Sequence, residues 1–289
     1  MKIPQVLVVE VMRAPGHLAN VLAQVGFAGL VVENLEAISR SSSHTVWELT
    51  IEVDENEELY LIDHINALPF AQIKGHSDRV FDQHKGGKIQ TISKVQITSN
   101  QVLRDIYTPG VARVCLAIQE DKEKAKEYTN IKNTVAVVTN GTAILGLGDI
   151  GAVAGMPVME GKAALFSVFA DLSGVPILIE NKDSQTIIDT VVAIAPSFGA
   201  IQLEDIGAPA CFEIEKALID KLDIPVLHDD QHGTAVVALA ALLTAMKRVG
   251  KKLKECVVGQ IGLGAAGIGI SRLLLKYGVR GMNGADLDD

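Results

Sequence analysis

The sequence predicts an α/β protein made of three successive parts: a small βαββαβ module, an α/β domain with a mostly parallel sheet, and the first βαβ unit of a further domain. Three observations predict this fold class. Short apolar runs alternate with longer amphipathic segments, pairs of acidic residues directly follow two of the apolar runs, and a glycine-rich turn precedes the last amphipathic segment. The hydrophobic fraction of 48% and the mean hydropathy of +0.27 are typical of α/β proteins with well-buried strands.

Composition excludes several functional classes. The 289 residues suffice for two or three domains. A net charge of −9, without a stripe of lysine and arginine, argues against a nucleic-acid partner. We expect no membrane partner, because no apolar run reaches the ~18 residues of a membrane span and the N-terminus lacks a signal-peptide layout. Three cysteines (Cys115, Cys211 and Cys256) lie in or beside apolar segments, which predicts buried free thiols and a cytoplasmic location.

The first module covers residues 1–81. The predicted strands are Val6–Val11, Gly29–Ser39, Thr45–Val53 and Ala71–Phe81, and the predicted helices are His17–Val25 and Leu59–Leu68. This order is ferredoxin-like. Together with the RAPGHLA stretch at Arg13–Ala19, it resembles an ACT domain, a module that typically binds a small regulatory ligand such as an amino acid. The alternative is a plain packing module, since proline and glycine at a strand–helix turn also have a purely structural explanation.

A polar linker over residues 82–99 precedes the second domain, at residues 100–250. Strands and helices alternate there, as in a parallel sheet. The predicted strands are Thr134–Thr139, Ala143–Leu145, Val175–Ile179, Ala200–Leu203 and Ile224–His228. The predicted helices are Gln101–Asp105, Val111–Tyr128, Lys162–Ala170, Thr186–Ala195, Ala210–Leu222 and Thr234–Val249.

Four acidic residues stand at the carboxyl ends of two of these strands. Glu204 and Asp205 follow one strand, and Asp229 and Asp230 follow the next. Ligands of parallel sheets collect at this edge, so we expect the four carboxylates in one crevice. Their mutual repulsion favours a hard divalent cation, Mg²⁺ or Mn²⁺, although solvated strand-end acids remain the alternative.

The two histidines beside Asp229 and Asp230 are interpreted as scaffold residues. His228 lies on the strand side and His232 on the helix side of the predicted turn, and oxygen ligands suit magnesium or manganese better than imidazole. The segment Gln231–Thr234 is predicted to cap the following helix.

Residues 251–289 predict the start of a Rossmann-type dinucleotide-binding domain. The strand Cys256–Ile261 leads into a GLGAAG turn and the helix Ile268–Tyr277, so the helix N-terminus and the glycines can receive a pyrophosphate. The following strand would finish at Asp286, whose carboxylate favours the ribose 2′-hydroxyl of NAD over the phosphate of NADP. A structural glycine turn is the alternative. The predicted cofactor-binding residues are Gly262, Leu263, Gly264, Ala265, Ala266, Gly267 and Asp286.

This last domain contains one βαβ unit, whereas dinucleotide-binding domains pair two such halves. We therefore expect the sequence to be the N-terminal portion of a longer protein. The turn Gly146–Gly151 has the same glycine spacing, but no regular helix is predicted directly after it, so we interpret it as a substrate-site turn.

Two residues are candidates for proton transfer. Lys162 is predicted at a helix N-terminus, where the macrodipole and burial would lower its pKa and make it a general base. Tyr107 lies in a YTPG turn that can hold its phenol as a general acid. The alternatives are a solvated helix lysine and a packed turn aromatic.

Five sequence blocks together resemble those of bacterial malic enzymes, in the same order, from about Asn100 to the end of the chain. The blocks are YTPGVA (Tyr107–Ala112), NGTAILGLGDIG (Asn140–Gly151), PVMEGKAALF (Pro157–Phe166), LEDI (Leu203–Ile206) and HDDQHGTA (His228–Ala235). The resemblance implies oxidative decarboxylation of L-malate to pyruvate and CO₂ with NAD, and NADP as the second choice. It implies Tyr107 as general acid, Lys162 as general base, Glu204, Asp205 and Asp230 as ligands of Mg²⁺ or Mn²⁺, and Asp229 as their neighbour.

The resemblance also implies a homo-oligomer, and an N-terminal ACT domain is similar to one found on some members of the family. The second half of the family's cofactor domain is absent from this sequence. Two other functions remain open. One is a different metal-assisted oxidoreductase or decarboxylase, and the other is a non-catalytic, ligand-sensing protein.

Overall fold

The computed structural model of the protein describes residues 2–54 and 60–286. Its internal contacts divide the chain into two units between Lys88 and Ile89. Separate clusters of buried apolar residues occur in the two units, so each has a hydrophobic core of its own.

The N-terminal unit is a four-stranded antiparallel sheet with helices packed on one face. Its elements are β1 (Lys2–Met12), α1 (His17–Phe27), β2 (Val31–Arg40), β3 (His44–Asp54), α2 (Leu61–Asn66) and β4 (Ala71–Asp78). The strand order is β2-β3-β1-β4. Alternate residues of β1 and β3 pack against Val21 and Val25 of α1 and Leu61 and Ile65 of α2. The order of elements is the one predicted, while Leu59, the predicted helix start, lies outside the described residues.

The end of β4 differs from the expectation. The predicted strand runs to Phe81, but β4 ends at Asp78 and a short helix, α3 (Arg79–His84), follows. The Asp78 carboxylate accepts hydrogen bonds from the backbone N–H groups of Val80 at 2.7 Å and Phe81 at 3.3 Å. Asp78 therefore caps a helix where apolar content alone predicts a strand.

The C-terminal unit contains a four-stranded parallel sheet with strand order β6-β5-β7-β8. Helices connect successive strands, as parallel strands require. The elements are α4 (Asn100–Ile106), α5 (Val111–Glu120), α6 (Ala125–Tyr128), β5 (Thr134–Thr139), α7 (Met156–Ala170), β6 (Ser173–Leu178), α8 (Ser184–Ile194), β7 (Ala200–Leu203), α9 (Ala210–Lys221), β8 (Val226–His228) and α10 (Asp229–Arg248).

Two predicted elements of this unit are wrong. The single helix predicted over Val111–Tyr128 is interrupted, because Asp121 is extended and its carboxylate caps a new turn by accepting from Glu123 N at 3.0 Å. The strand predicted at Ala143–Leu145 is a tight turn, in which Leu145 has a φ of 43° and Ile144 forms an isolated bridge with Gly148. Such a turn cannot continue a sheet.

Helices α7 and α10 begin five or six residues earlier than predicted, and both shifts change the position of site residues. Helix α7 begins at Met156, with Pro157 in its first turn, so Lys162 lies inside the helix instead of at its N-terminus. It also follows the Gly146–Gly151 turn more closely than predicted. Helix α10 begins at Asp229. The carboxylates of Asp229 and Asp230 interact favourably with the positive, N-terminal end of the helix dipole. The segment Gln231–Thr234 is therefore inside this helix and does not cap it.

The last elements are β9 (Val257–Ile261), α11 (Ala265–Tyr277) and β10 (Gly281–Ala285). Strands β9 and β10 pair in parallel, which confirms the predicted βαβ unit. Helix α11 begins three residues before the predicted start, directly after the glycine turn. It packs on α10 through a cluster that includes Leu253 and Leu274.

Two further expectations need correction. The segment Val153–Ala170, with a mean hydropathy of 1.2, is long and apolar enough to cross a membrane by length and composition alone. This is weak evidence for a span, since α7 packs against β5 and β6 and carries the ion-paired Lys162. Of the three thiols predicted to be buried, only Cys211 is: Cys256 is partly buried, and Cys115 is exposed because α5 buries none of its residues.

Candidate functional site

The carboxyl ends of β7 and β8 form the edge where the acidic residues meet. The two strands are parallel neighbours, and their last residues, Leu203 and His228, lie opposite each other. Glu204 and Asp205 directly follow β7, while Asp229 and Asp230 open α10 directly after β8. The short strands thus bring together acids that are 25 residues apart in sequence.

Three of these acids form a compact oxygen-rich cluster. Carboxylate oxygens of Glu204, Asp205 and Asp230 all lie within 4.8 Å of one another. Asp205 has a left-handed φ of 52°, and its backbone N–H donates to Asp230 Oδ2 at 2.9 Å. The chain therefore turns sharply at Asp205, and this turn holds its carboxylate against that of Asp230.

The electrostatics of the cluster reflect crowding of like charges. Burial, together with Asp229, Asp230 and Asp205, raises the pKa of Glu204 to about 8, with Lys162 opposing the shift. Burial and Asp230 raise the pKa of Asp205 to about 6. Burial also acts to raise the pKa of Asp230, but contact with His228 and other neighbours lowers it overall.

The cluster fits a hard divalent cation. It offers three carboxylates and no sulfur, the donor set that Mg²⁺ and Mn²⁺ prefer. The buried Asp205 Oδ2 atom has no hydrogen-bond partner within residues 2–54 and 60–286, and a buried carboxylate oxygen normally needs one. A cation would provide that partner.

Lys162 extends from α7 to the same edge. Its Nζ atom lies 2.5 Å from Asp229 Oδ2 and 3.3 Å from Glu204 Oε1. The prediction of a lowered pKa is wrong: burial acts in that direction, but Asp229 and Glu204 outweigh it and raise the pKa of Lys162. The lysine also lies too far inside α7 to be affected by the positive end of its dipole.

Tyr107, the other proton-transfer candidate, lies at the end of α4 in the YTPG turn. Its side chain is 68% exposed. Among the described residues, no hydrogen bond joins its phenol to the acidic cluster. The structure therefore brings Lys162, but not Tyr107, into contact with the acids.

The predicted cofactor-binding residues lie at one end of the β9–α11–β10 unit: Gly262, Leu263 and Gly264 in the turn after β9, Ala265, Ala266 and Gly267 in the first turn of α11, and Asp286 directly after β10. Gly262 has a φ of 85°, and a Cβ atom on Gly267 would overlap the backbone oxygen of Gly262. Glycine is therefore required at both positions for this tight turn. Asp286 follows β10, as predicted, and its Oδ2 atom accepts a hydrogen bond from Leu263 N at 2.9 Å. The acid thus lies beside the turn that opens α11.

Two polar residues behind the acids were missed from the sequence. Glu215 of α9 is 7% exposed, and Gln202 of β7 is 3% exposed and donates to Glu204 Oε2. Each breaks an apolar pattern: Gln202 interrupts a buried strand, and Glu215 lies on the face of α9 that buries Cys211 and Leu218. The sequence signal for both residues is a polar side chain at a position where the hydrophobic periodicity predicts a buried apolar one.

The predicted scaffold histidines contact these residues and the acids. His228 Nε2 lies 3.1 Å from Asp230 Oδ2, with an angle that is poor for a hydrogen bond, and His232 Nε2 lies 2.8 Å from Glu215 Oε1. Each imidazole is therefore in contact with a carboxylate at or behind the cluster.

Two protein-family models match the parts of the chain that contain most of this site. The malic enzyme N-terminal domain family matches residues 86–219, and the malic enzyme NAD-binding domain family matches residues 231–287. NAD-dependent malic enzyme 1 of Bacillus subtilis is 50% identical over 283 residues, 97% of this chain and 64% of that protein. NAD-dependent malic enzyme of Geobacillus stearothermophilus is 51% identical over 93% of this chain and 56% of that protein.

Solved structures agree with these matches. The crystal structure of malic enzyme from Pyrococcus horikoshii has a TM-score of 0.70 and 48% sequence identity, covering 73% of this chain and 50% of that one. The structure of NAD-dependent malic enzyme from Thermotoga maritima also has a TM-score of 0.70, with 47% identity, and covers 73% of this chain and 56% of that one. The present chain thus spans between one half and two thirds of the length of these relatives.

The fold and the two sites define a class, an α/β protein in which a sheet ending in carboxylates precedes an NAD-binding domain. Within that class, the chain belongs to the malic enzyme family.

Proposed function

We propose that the protein catalyses the metal-dependent oxidative decarboxylation of L-malate to pyruvate and CO₂ with reduction of NAD. One observation supports this most strongly: carboxylate oxygens of Glu204, Asp205 and Asp230 lie within 4.8 Å of one another, and Lys162 Nζ lies 3.3 Å from the first of them. This arrangement places a cation site and a proton-transfer group side by side, in a chain that is 50% identical to an NAD-dependent malic enzyme.

Each group has a task in this reaction. Glu204, Asp205 and Asp230 would hold Mg²⁺ or Mn²⁺, which when bound polarises the C2 oxygen and favours loss of CO₂ from the ketone. Lys162 is proposed to take the proton of the C2 hydroxyl as hydride passes from C2 to NAD. It would do so in its neutral form, which a cation at Glu204 would favour by opposing the ammonium charge that the acids otherwise stabilise. Tyr107 is proposed to protonate C3 after CO₂ leaves, which yields pyruvate. The role of Tyr107 depends on the family resemblance alone.

The preference for NAD over NADP is supported by Asp286. Its carboxylate is held at the glycine turn by Leu263 N, at the position where a dinucleotide-binding domain contacts the ribose 2′-hydroxyl. A negative charge there would repel the 2′-phosphate of NADP. NAD is therefore the proposed cofactor and NADP the poorer substitute.

The proposed activity is tested by incubating the protein with L-malate, NAD and Mn²⁺ and measuring NADH and pyruvate together. We expect both products in equal amounts, and neither in Asp230→Ala. The matched control is Asp220→Ala, because Asp220 is an exposed acid on α9. NADH without pyruvate would indicate a malate dehydrogenase instead. Neither product, from folded protein that binds Mn²⁺, would favour a non-catalytic, ligand-sensing protein.

The N-terminal unit is proposed to be an ACT-type, ferredoxin-like regulatory domain that binds a small effector. Its antiparallel strand order β2-β3-β1-β4, with α1 and α2 on one face, supports this proposal. A cavity of about 370 Å³ in this unit is large enough for an amino acid, and Glu10, His44, Asn66 and Phe70 are among its lining residues. Isothermal titration with the twenty amino acids tests this role, and binding of none would contradict it.

A homo-oligomer in the cytoplasm is also proposed. The exposed apolar side chains of Leu165, Val168 and Phe169 on α7 support association, since exposed apolar patches commonly mark interfaces. The three free cysteines support a reducing compartment. Sedimentation velocity tests the first proposal, and a monomer at micromolar concentration would contradict it.

A further inference from the structure

Glu215 is a buried carboxylate that the proposed reaction does not use. It lies on α9 with 7% of its surface exposed. Its Oε1 atom accepts a hydrogen bond from His228 N at 2.8 Å and lies 2.8 Å from His232 Nε2. Its Oε2 atom accepts from Gln231 Nε2 at 3.1 Å. One side chain thus contacts three donors, and a buried carboxylate requires such partners.

All three donors belong to one short segment, residues 228–232, where β8 ends and α10 begins. This segment also carries Asp229 and Asp230. The first N–H groups of a helix have no partner inside the helix. Glu215 supplies an acceptor at this junction and thereby fixes the first turn of α10 relative to α9.

A chain of contacts leads from Glu215 to the carboxylate of Asp230. Gln231 Nε2, which donates to Glu215, also lies 3.1 Å from His228 Nδ1. An amide N–H can only donate, so Nδ1 of His228 accepts and the ring proton is assigned to Nε2. That atom lies 3.1 Å from Asp230 Oδ2. The assigned tautomer therefore places an N–H group in electrostatic contact with Asp230, at an angle that is poor for a hydrogen bond.

We propose that Glu215 is a positioning residue for the divalent-cation site, which acts through Gln231 and His228 to hold the Asp230 carboxylate in its binding orientation. The inference rests on the proposed cation site at Glu204, Asp205 and Asp230. It assigns to Glu215 a role in metal affinity without contact between Glu215 and the ion. Outer partners of this kind commonly change metal affinity by about 10–100-fold when they are removed.

The test is Mn²⁺ affinity at 25 °C, measured from the electron paramagnetic resonance signal of free Mn²⁺. Glu215→Leu removes all three acceptor contacts and is expected to weaken binding by about 10–100-fold. Glu215→Gln keeps the shape and one acceptor oxygen and is expected to weaken it by only about threefold, the value of a single hydrogen bond. Glu213→Gln, an exposed acid two residues away on α9, is the matched control and should bind as the wild type does.

Circular dichroism at the same temperature shows whether each variant is folded. Folded Glu215→Leu that binds Mn²⁺ like the wild type would overturn the proposal, as would equal losses in Glu215→Gln and Glu213→Gln, which would reflect net charge only. If Glu215→Leu does not fold, Gln231→Leu decides, since Gln231 joins Glu215 to His228. We expect about tenfold weaker Mn²⁺ binding for it, and unchanged binding by the folded variant would overturn the proposal.

Failure of the cation site itself is distinguishable. Wild-type protein that binds no Mn²⁺, or Asp230→Asn that binds it unchanged, would disprove the site and the proposal with it. Binding by the wild type, loss in Asp230→Asn and unchanged affinity in Glu215→Leu would disprove the role of Glu215 alone.

Discussion

The Nζ atom of Lys162 lies 2.5 Å from the Oδ2 atom of Asp229, which links the middle of α7 to the first turn of α10. The two residues are 67 positions apart in sequence. Lys162 also lies 3.3 Å from Glu204, so one ammonium group is shared between a strand-end acid and a helix-start acid. The lysine therefore brings positive charge to the edge of the sheet where the carboxylates crowd together.

Replacing Lys162 by methionine should separate catalysis from cation binding. The rate of malate-dependent NADH formation is expected to fall by about 10²–10⁴-fold, the usual contribution of a general base. Mn²⁺ affinity should stay the same or rise, because a positive charge beside Glu204 opposes the cation. Lys216→Met is the control, since Lys216 pairs with Asp220 at an exposed position of α9 and its variant should retain both properties. Weaker Mn²⁺ binding in Lys162→Met would show a structural role instead.

Metal removal should lower thermal stability. Mn²⁺ at about 100 times its dissociation constant is expected to raise the melting temperature by roughly 5–10 °C, and EDTA should reverse the rise. The Asp205→Asn variant is expected to show no rise in melting temperature with Mn²⁺. Its melting temperature in EDTA should not be lower than that of the wild type, because the substitution removes one of several carboxylates that repel one another. Asparagine also tolerates the left-handed φ of 52° at this position. A melting temperature of the wild type that is insensitive to Mn²⁺ would contradict the cation site.

Contact between α10 and α11 should depend on Gly269. A Cβ atom at this position would overlap the backbone oxygen of Gln231, so Gly269→Ala forces the two helices apart. We expect the free energy of unfolding to fall by about 1–3 kcal/mol, as for overpacked cores. Gly259→Ala in β9, where a Cβ would meet no atom within 4 Å, should change it by less than about 0.5 kcal/mol. Urea denaturation measures both, and equal stabilities would show that the helices adjust without cost.

Replacing Asp286 by asparagine should weaken discrimination between the two nicotinamide cofactors. Asparagine can still accept from Leu263 N, but it carries no charge to repel a 2′-phosphate. The ratio of kcat/KM for NAD to that for NADP is expected to fall about tenfold, because a nearby unit charge contributes about 1–4 kcal/mol. Glu255→Gln, which neutralises an exposed acid paired with Lys252, should leave the ratio unchanged. An unchanged ratio in Asp286→Asn would place cofactor selection elsewhere.

Local sequence patterns predicted most strands and helices, and they failed where a polar side chain acted on the backbone. Asp78 starts a helix at the end of an apolar run, and Asp121 divides what is otherwise one helical pattern. Hydrophobic periodicity records burial and carries no information about such caps, which depend on single side-chain hydrogen bonds. The early starts of α7 and α10 have a different origin, because neither helix has a side-chain cap: proline favours the first turn of α7, and two acids favour that of α10.

The sequence by itself determined the residue types and the order of the site: strand-end acids, a glycine turn after a strand, and an acid after the next strand. The kind of site that these residues form follows from their chemistry and from spacings of a few residues, so it can be predicted without a structure. Only the tertiary structure decided the partners of Lys162, the three contacts of Glu215 and the closeness of Asp286 to Leu263. These contacts join separate segments of the chain, and they exist because β7 pairs with β8, β9 pairs with β10 and α9 packs on β8, an arrangement that no local pattern encodes.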